Sequence, residues 1–590
     1  MHPIMKIDPD KIRRLILEIE SLITELRRVE SCHQDQIKNV HPAYKQSARN
    51  LIHYTALRSF DITNLQRDLG NLGLSRIARA EAHVLASLHN CRFILKTMIK
   101  QELREKKSDS ITLKKARKLL QSHSKNLLGY RSKGRRVRIM VTLPRDAAYN
   151  YSMVRDLLKA GMNTARINCA HDNPEVWKGM IENIHRANEN LKKNCRISMD
   201  LAGPKIRTAS IEPHPGVLKF RPKKNTKGQV IKPCEISLVR ILQQDGKNEL
   251  PVEERWLQDL QPGDIIRLRD TRNKKRTLHV MSIKPNKVVV TCSKTTYLMS
   301  GNILTIERTG LATKVQELPA LEQAIKLHIG DRLRITKEQI PGKPAEYNNE
   351  GLLKHEAIVA CTSTAIFRDV KKGERIVFDD GKIEGLVSDL DESGLWVKIT
   401  QAKQSGSFLR ADKGINLPDT NLQIRGLTAK DHEDLRFIVA NADVVNVSFV
   451  NSREDVKELL SALVELGAVN KLGIILKIET KNAFNNLKDI LLEGMKVYPL
   501  GVMIARGDLA VESGWENMAR IQREILSLAN AAHVPDIWAT QVLETLAKKG
   551  IPSRSEISDV ATALDAECVM LNKGPYILEA VHLLDQILRG

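Results

Sequence analysis

Residues 472–508 read LGIILKIETKNAFNNLKDILLEGMKVYPLGVMIARGD. An apolar run closes on Lys477 and Glu479, an amphipathic segment follows, and a second apolar run closes on Arg506 and Asp508. Short apolar strands joined by helical segments are the pattern of βαβ units and a parallel sheet. The same rhythm extends outward in both directions. VVNVSFV precedes this stretch, and DIWAT and CVMLN follow it. From Arg135 onward VRIMVTL, NTARINC and CRISMDL alternate with MVRDLLKAGM and VWKGMIENIHRANENL. Three strands before the middle of the chain and five after it make eight, the count of a (β/α)8 TIM barrel.

Two regions lie outside that rhythm. From Ile12 the residues Leu15, Ile16, Ile19, Leu22, Ile23 and Leu26 recur at three- and four-residue steps, and similar periodicity runs to residue 128. Residues 1–130 therefore read as an all-helical N-terminal extension, with Asp61 as an N-cap and Gly70, Gly73 and Gly129 as punctuation. Its basic stretch LKKARKLL reads as a solvated helix face. Between the barrel halves 131–204 and 416–590, residues 205–415 carry Gly, Pro and β-branched runs at short intervals, the mark of an inserted antiparallel β domain. Two parts of it, about 205–310 and 365–415, resemble each other: Gly263 matches Gly373, Asp270 matches Asp380 and Lys294 matches Lys403. The insertion after the third strand thus reads as duplicated. Only the second copy keeps the tight Asp-Gly turn, because Thr271 stands where Gly381 does and a β-branched residue resists positive φ.

Composition narrows the classes. With 590 residues and 42% hydrophobic content the chain supports several cores. The net charge is +23, yet it is uneven: residues 1–130 hold 24 basic and 13 acidic side chains, and residues 421–590 hold 18 and 23. Aromatics are 4% of the chain and do not interleave with the basic clusters, so neither a nucleic-acid partner nor a membrane is expected. A small polyanionic substrate accounts for the charge of the middle section. No run of about 18 apolar residues and no signal-peptide pattern point to a soluble, cytoplasmic protein. The eight cysteines form no CxxC pair and read as reduced, mostly buried thiols.

In a (β/α)8 barrel the working residues stand at the C-terminal ends of strands. Arg166 and Asn168, Asp200, Lys477 and Glu479, and Arg506 and Asp508 occupy four such ends. Taken singly, each is an ordinary solvated ion pair. Together they form an oxygen-rich divalent-metal site beside fixed positive charge, which is what a phosphoryl group in transfer requires.

At these residues the chain resembles the pyruvate kinase family. KAGMNTARINCAH, GPKIRT, FDDG, KGINLP, LKIE, ARGDL and ATQVLE align in order with that family's motifs, over about 135–210 and 365–590. The resemblance implies a glycolytic phosphotransferase that moves the phosphoryl group of phosphoenolpyruvate to ADP, giving pyruvate and ATP. It implies that Lys477 contacts the phosphoryl group, that Glu479 and Asp508 hold Mg2+ (or Mn2+), and that Arg166 and Asn168 bind substrate. It also places Arg207 and His171 at the nucleotide phosphates and Thr540 near the enolate carbon. The resemblance also implies that the backbone of Arg506, Gly507 and Asp508 receives the substrate carboxylate. Ala170 replaces a potassium-binding serine, and Lys205 replaces a glutamate. The resemblance thus implies that the Lys205 ammonium, near Asp200, substitutes for the monovalent cation, so that potassium is not required. Cys169 reads as a buried position, not a nucleophile. The eighth strand ends MLNKG in place of a longer family loop, which leaves Asn572 where a serine stands. The chain ends after the eighth helix, so the family's C-terminal regulatory domain is expected to be absent and a homodimer or homotetramer is expected. The rival readings are an inactive barrel that binds a phosphorylated metabolite, and a phosphotransferase with a different acceptor.

Overall fold

The computed structural model describes residues 8–101, 110–242, 248–348, 350–422, 424 and 426–590. They fall into two compact units. The larger contains the chain through Ile206 together with Ser363–Leu390 and Gly414–Gly590; the smaller contains Arg207–Thr362 and Asp391–Lys413.

The larger unit is built on a closed barrel of eight parallel strands: β1 (Arg138–Thr142), β2 (Thr164–Asn168), β3 (Arg196–Asp200), β4 (Val444–Val447), β5 (Gly473–Ile478), β6 (Leu500–Ala505), β7 (Asp536–Ala539) and β8 (Cys568–Leu571). The barrel closes where Arg138–Val141 pair with Cys568–Leu571. All six residues of β5 and of β6 are buried, as parallel strands covered on both faces must be. One expectation is corrected here. Arg506 and Asp508 do not close strand β6, which ends at Ala505; they sit in the first turn of helix Arg506–Ser513. Alternation along a strand therefore does not relate their side chains.

The extension packs on the barrel through four longer helices, α1 (Pro9–Cys32), α2 (Lys45–Leu57), α3 (Val84–Met98) and α4 (Leu113–Leu128). Helix α1 starts where Asp8 accepts the N–H groups of Asp10 and Lys11 and Pro9 fills the first position. Its periodic apolar residues join the same core as the barrel helices. Asp61 caps one residue earlier than an N-cap would, accepting from Thr63 N–H, and Gly70 lies inside helix Thr63–Asn71. In α4 the cations of LKKARKLL are exposed, while its last turn sends Leu127 and Leu128 among Met140, Val444, Ile475 and Met503 of the barrel. A Cβ on Gly473 would lie 2.8 Å from Leu127, and one on Gly501 only 2.4 Å. These two glycines make room for the leucine.

The β insertion shows the duplication strand by strand. In the first copy Cys234–Val239 pairs in parallel with Glu249–Pro251 and antiparallel with Lys287–Cys292. In the second, Arg332–Thr336 pairs in parallel with Ala357–Ala360 and antiparallel with Gly394–Gln401. Ile265–Arg269 pairs with Lys275–Lys284 and Ile303–Ile306, as Arg375–Phe378 pairs with Ile383–Asp391 and Ile415–Asn416. Gly263 (φ +90°) donates to Val280 O, and Gly373 (φ +90°) donates to Val387 O. The matching pairings reach back to Ile325–Leu327, ahead of residue 365 where the likeness of sequence begins.

Candidate active site

Register places the first group of side chains. Asn168 and Asn446 stand beside Asp200 on the strands flanking β3, with Arg166 one step back on the same face of β2. Arg166 grips Asp200 with two bonds, Nε to Oδ1 at 2.9 Å and Nη2 to Oδ2 at 2.6 Å, and donates Nη1 to Thr142 Oγ1 at 2.8 Å. Asn446 Nδ2 donates to Asp200 as well. On β5 the Lys477 ammonium donates to Ser448 Oγ at 2.8 Å and lies 3.0 Å from Glu479 Oε1 and 3.4 Å from Asp200 Oδ2. Glu479 Oε2 accepts the Phe449 N–H at 2.7 Å. All four charged groups are buried.

The charges in this network set one another. Burial alone would raise the Asp200 carboxyl, but Arg166 and Lys477 outweigh it and hold it below the usual range. Burial works against the Lys477 ammonium too, and Glu479 and Asp200 overcome it, so the lysine stays charged well above neutral pH. Glu479 moves the other way: burial raises it, Lys477 opposes, and the like charge of Asp508 adds to the rise. Two carboxylates that repel each other offer hard oxygen donors to a divalent cation, and the chemistry of the donor set fits Mg2+. Among the described residues no group of three or more His, Cys, Asp or Glu forms a metal cage.

Asp508 also accepts Lys205, Nζ to Oδ1 at 2.7 Å, and the lysine lies 5.6 Å from the centre of the Phe449 ring. Its partner is thus Asp508, while Asp200 is held by Arg166, Lys477 and Asn446. A Cβ added at Gly414 would meet Lys205 Cε at 2.9 Å, which brings the KGINL segment against it. One turn beyond Asp508, Glu512 accepts Asn416 Nδ2 at 2.8 Å, and burial pushes its carboxyl up to about 7.

Thr540 follows β7 and accepts the Gly507 N–H through Oγ1 at 2.8 Å. The Arg506 guanidinium is directed elsewhere, to Asp559, to Ala539 O at 3.0 Å and over the Trp538 ring at 4.5 Å. Its side chain braces the loop that follows β7. Several non-glycine residues here hold left-handed backbone: Phe449 at φ +55°, Thr540 at +64°, Gln541 at +57°, and Asp379 and Asp380 at +50° and +55° beside Gly381. Such conformations cost of order 1–3 kcal/mol each and persist where the surroundings over-determine them.

Arg166, Asn168, His171 and Asn572 line one cavity of about 270 Å³ with Lys548 and Lys573. Burial pushes the Cys169 thiol up, which leaves it no nucleophile. Arg207 belongs to the smaller unit, where its guanidinium donates to Asp412 O at 3.2 Å.

The family model described as pyruvate kinase, barrel domain, matches residues 134–321 and 304–581. The chain belongs to the pyruvate kinase family. It is similar to a pyruvate kinase of Hypocrea jecorina, 37% identical over 225 residues, which is 37% of this chain and 40% of that protein. One from Methanocaldococcus jannaschii is 33% identical over 225 residues, 37% of this chain and 48% of its own length. One from Staphylococcus aureus (strain MRSA252) is 25% identical over 460 residues, 77% and 56%. The chain thus spans about half the length of the curated relatives it matches. The pyruvate kinase match comes in two stretches that overlap at 304–321, at the junction of the two insertion copies.

Sequence reasoning overlooked Ser448, Asn446 and Glu512. Glu512 had a readable signal, its spacing of four from Asp508 on a helix. Ser448 and Asn446 look like ordinary strand residues until register sets them beside Lys477 and Asp200.

Proposed function

We propose that this chain transfers the phosphoryl group of phosphoenolpyruvate to ADP, giving pyruvate and ATP. The observation that carries the reading is the buried network in which Asp200 fixes Arg166 and, with Glu479, keeps Lys477 charged. Arg166 and Lys477 then present two cations, already oriented, to the phosphate oxygens. Fixed charge of this kind stabilises a phosphoryl group between two oxygens without reorganisation. Glu479 and Asp508 would hold Mg2+, or Mn2+ in its place, which supplies charge neutralisation at the phosphate. Lys205 supplies a permanent cation beside Asp508, so potassium is not needed. The backbone at Arg506–Asp508 positions the carboxylate, and the Thr540 hydroxyl, held by Gly507, relays the proton that the enolate carbon gains. His171 takes the nucleotide phosphates.

A coupled assay that reports pyruvate, run with phosphoenolpyruvate and ADP at matched ionic strength in sodium or potassium, tests this directly. The expected result is turnover of equal rate in both salts. A second reading, a barrel that binds a phosphorylated metabolite without turnover, is favoured by the hold of Lys205 on Asp508 and by Asn572 in the eighth-strand loop. Saturable phosphoenolpyruvate binding with no pyruvate formed would establish it. Turnover with another phosphoryl acceptor but not with ADP would identify a different phosphotransferase.

A further inference from the structure

The first copy of the insertion holds two thiols, Cys234 and Cys292, that the proposed reaction leaves unused. They terminate neighbouring antiparallel strands, and the register sets them directly opposite each other, in line with Ile236 opposite Val290 and Leu238 opposite Val288. The strand on the other side decides what kind of pair they make. Ser237 donates its N–H to Asn248 O, and Val239 O accepts from Val252 N–H. The odd-numbered residues of 234–239 therefore turn their backbone groups toward Glu249–Pro251, and the even-numbered ones toward Lys287–Cys292. Cys234 and Cys292 are thus a hydrogen-bonded pair, for which the Cα atoms stand ~5.5 Å apart. Disulfides span Cα separations of roughly 4.4–6.8 Å, which this pair meets, and Cβ separations of roughly 3.5–4.5 Å, so a small local adjustment at the strand ends brings the two sulfurs into bonding range.

Opposed side chains in such a ladder project to one face. Here it is the face that carries the buried Ile236 and Val290. Cys292 is buried, whereas Cys234 at the strand's start is partly exposed. Burial pushes the Cys292 thiol up to about 11, with the nearby Cys234 adding to the rise. The pair is peculiar to this copy. In the second copy Leu333 stands opposite Val397, and two residues on, at the place of the cysteines, Ile399 donates to Asp331 O.

We propose that Cys234 and Cys292 form a reversible disulfide by exchange with a low-molecular-weight disulfide such as oxidised glutathione. Cys234, the reachable sulfur, loses its proton and attacks one sulfur of the reagent, breaking its S–S bond and releasing one thiol. A mixed disulfide remains on Cys234. Cys292 then loses its proton, attacks the Cys234 sulfur and releases the second thiol. Two electrons pass from the protein pair to the reagent, and the two protons end on the two thiols released. The bond ties the exit of the Lys223–Lys232 hairpin to the segment that enters strand Thr296–Met299.

The test equilibrates the full chain across ratios of reduced to oxidised glutathione, quenches it with acid, alkylates the free thiols and maps peptides by mass spectrometry without reduction. The expected result is a cross-linked peptide joining 234 to 292 that disappears on adding dithiothreitol, with two fewer alkylated cysteines. The Cys234→Ser protein should show no cross-link and an alkylated Cys292. Oxidised protein should melt several degrees higher, since the bond closes a long loop. The proposal is overturned if no such peptide forms at any ratio in protein that stays folded by circular dichroism. It is equally overturned if glutathione stops on Cys234, or if Cys234→Ser still loses two thiols. Cys234 is partly exposed, so its serine variant decides the matter even where Cys292→Ser folds poorly.

Discussion

Replacing Lys477 by methionine keeps the unbranched stem of the side chain and removes the charged nitrogen at its end. At 3.0 and 3.4 Å from Glu479 and Asp200, the ammonium makes attractions of about 5 kcal/mol each at an effective dielectric near 20, before desolvation is subtracted. Asp200 retains Arg166 and Asn446 in the variant, but Glu479 keeps only the Phe449 N–H and faces Asp508 unopposed. Leaving a buried charge without its partner costs about 3–5 kcal/mol of stability. The sign with pH follows from Glu479, whose carboxyl is already raised and rises further without Lys477. A raised carboxyl weighs against folding while it is ionised and ceases to as it protonates. The stability deficit of Lys477→Met therefore narrows as pH falls, read as the difference in melting temperature from the wild type. For turnover, loss of one fixed cation facing the phosphoryl group should lower kcat by about 10²- to 10³-fold or more, with the KM for ADP little changed. The coupled pyruvate assay on protein shown to be folded measures this. Near-normal kcat in the folded variant, or a loss confined to KM, would refute the reasoning.

Glu479→Gln or Asp508→Asn should each raise the Mg2+ concentration for half-maximal activity at least tenfold, because each removes an anionic donor; a metal titration checks both. Lys205→Glu should be poorly active, and adding Ala170→Ser should make it respond to potassium more than the single variant does. Strong potassium activation of the unaltered protein would end the cation-substitution idea. Glu512, pushed up to about 7, destabilises the fold once ionised, so Glu512→Gln should melt above the wild type at pH 8.5 and level with it at pH 5. Leu127→Ala should cost about 2–5 kcal/mol in denaturant unfolding, as deletion of a fully buried leucine side chain does.

The barrel was legible because eight apolar runs alternate with amphipathic segments, and a period change is a local property. The strand-end residues Arg166, Asp200, Lys477 and Glu479 were legible as a set, since a single charged strand end is ordinarily a solvated ion pair and only their recurrence at several ends of one barrel points to a site. What could not be read were partners set by register and closure. Nothing near Lys205 in the chain announces Asp508, and the Arg506 side chain is turned outward by Asp559 and Trp538, both far along the sequence. The internal repeat showed in residues 365–415 because glycines and turns persist, whereas strands such as Arg332–Thr336 kept their pairing after losing their sequence likeness. Segment Ser363–Leu390 lies with the barrel unit although its strands match the insertion, a division no composition change marks.

The leucine that fills the barrel floor also fixes an order of events during synthesis. Leu127 leaves the ribosome long before Gly473 and Gly501, the two residues that make its socket, and the whole insertion must be translated in between. Until then α1–α4 present an apolar face with no barrel to cover it. Contacts of such long sequence separation form late and slowly, and exposed apolar helices are the species that aggregate or recruit chaperones. A nascent chain arrested before Gly473 would therefore expose this face, and release of the full chain would bury it.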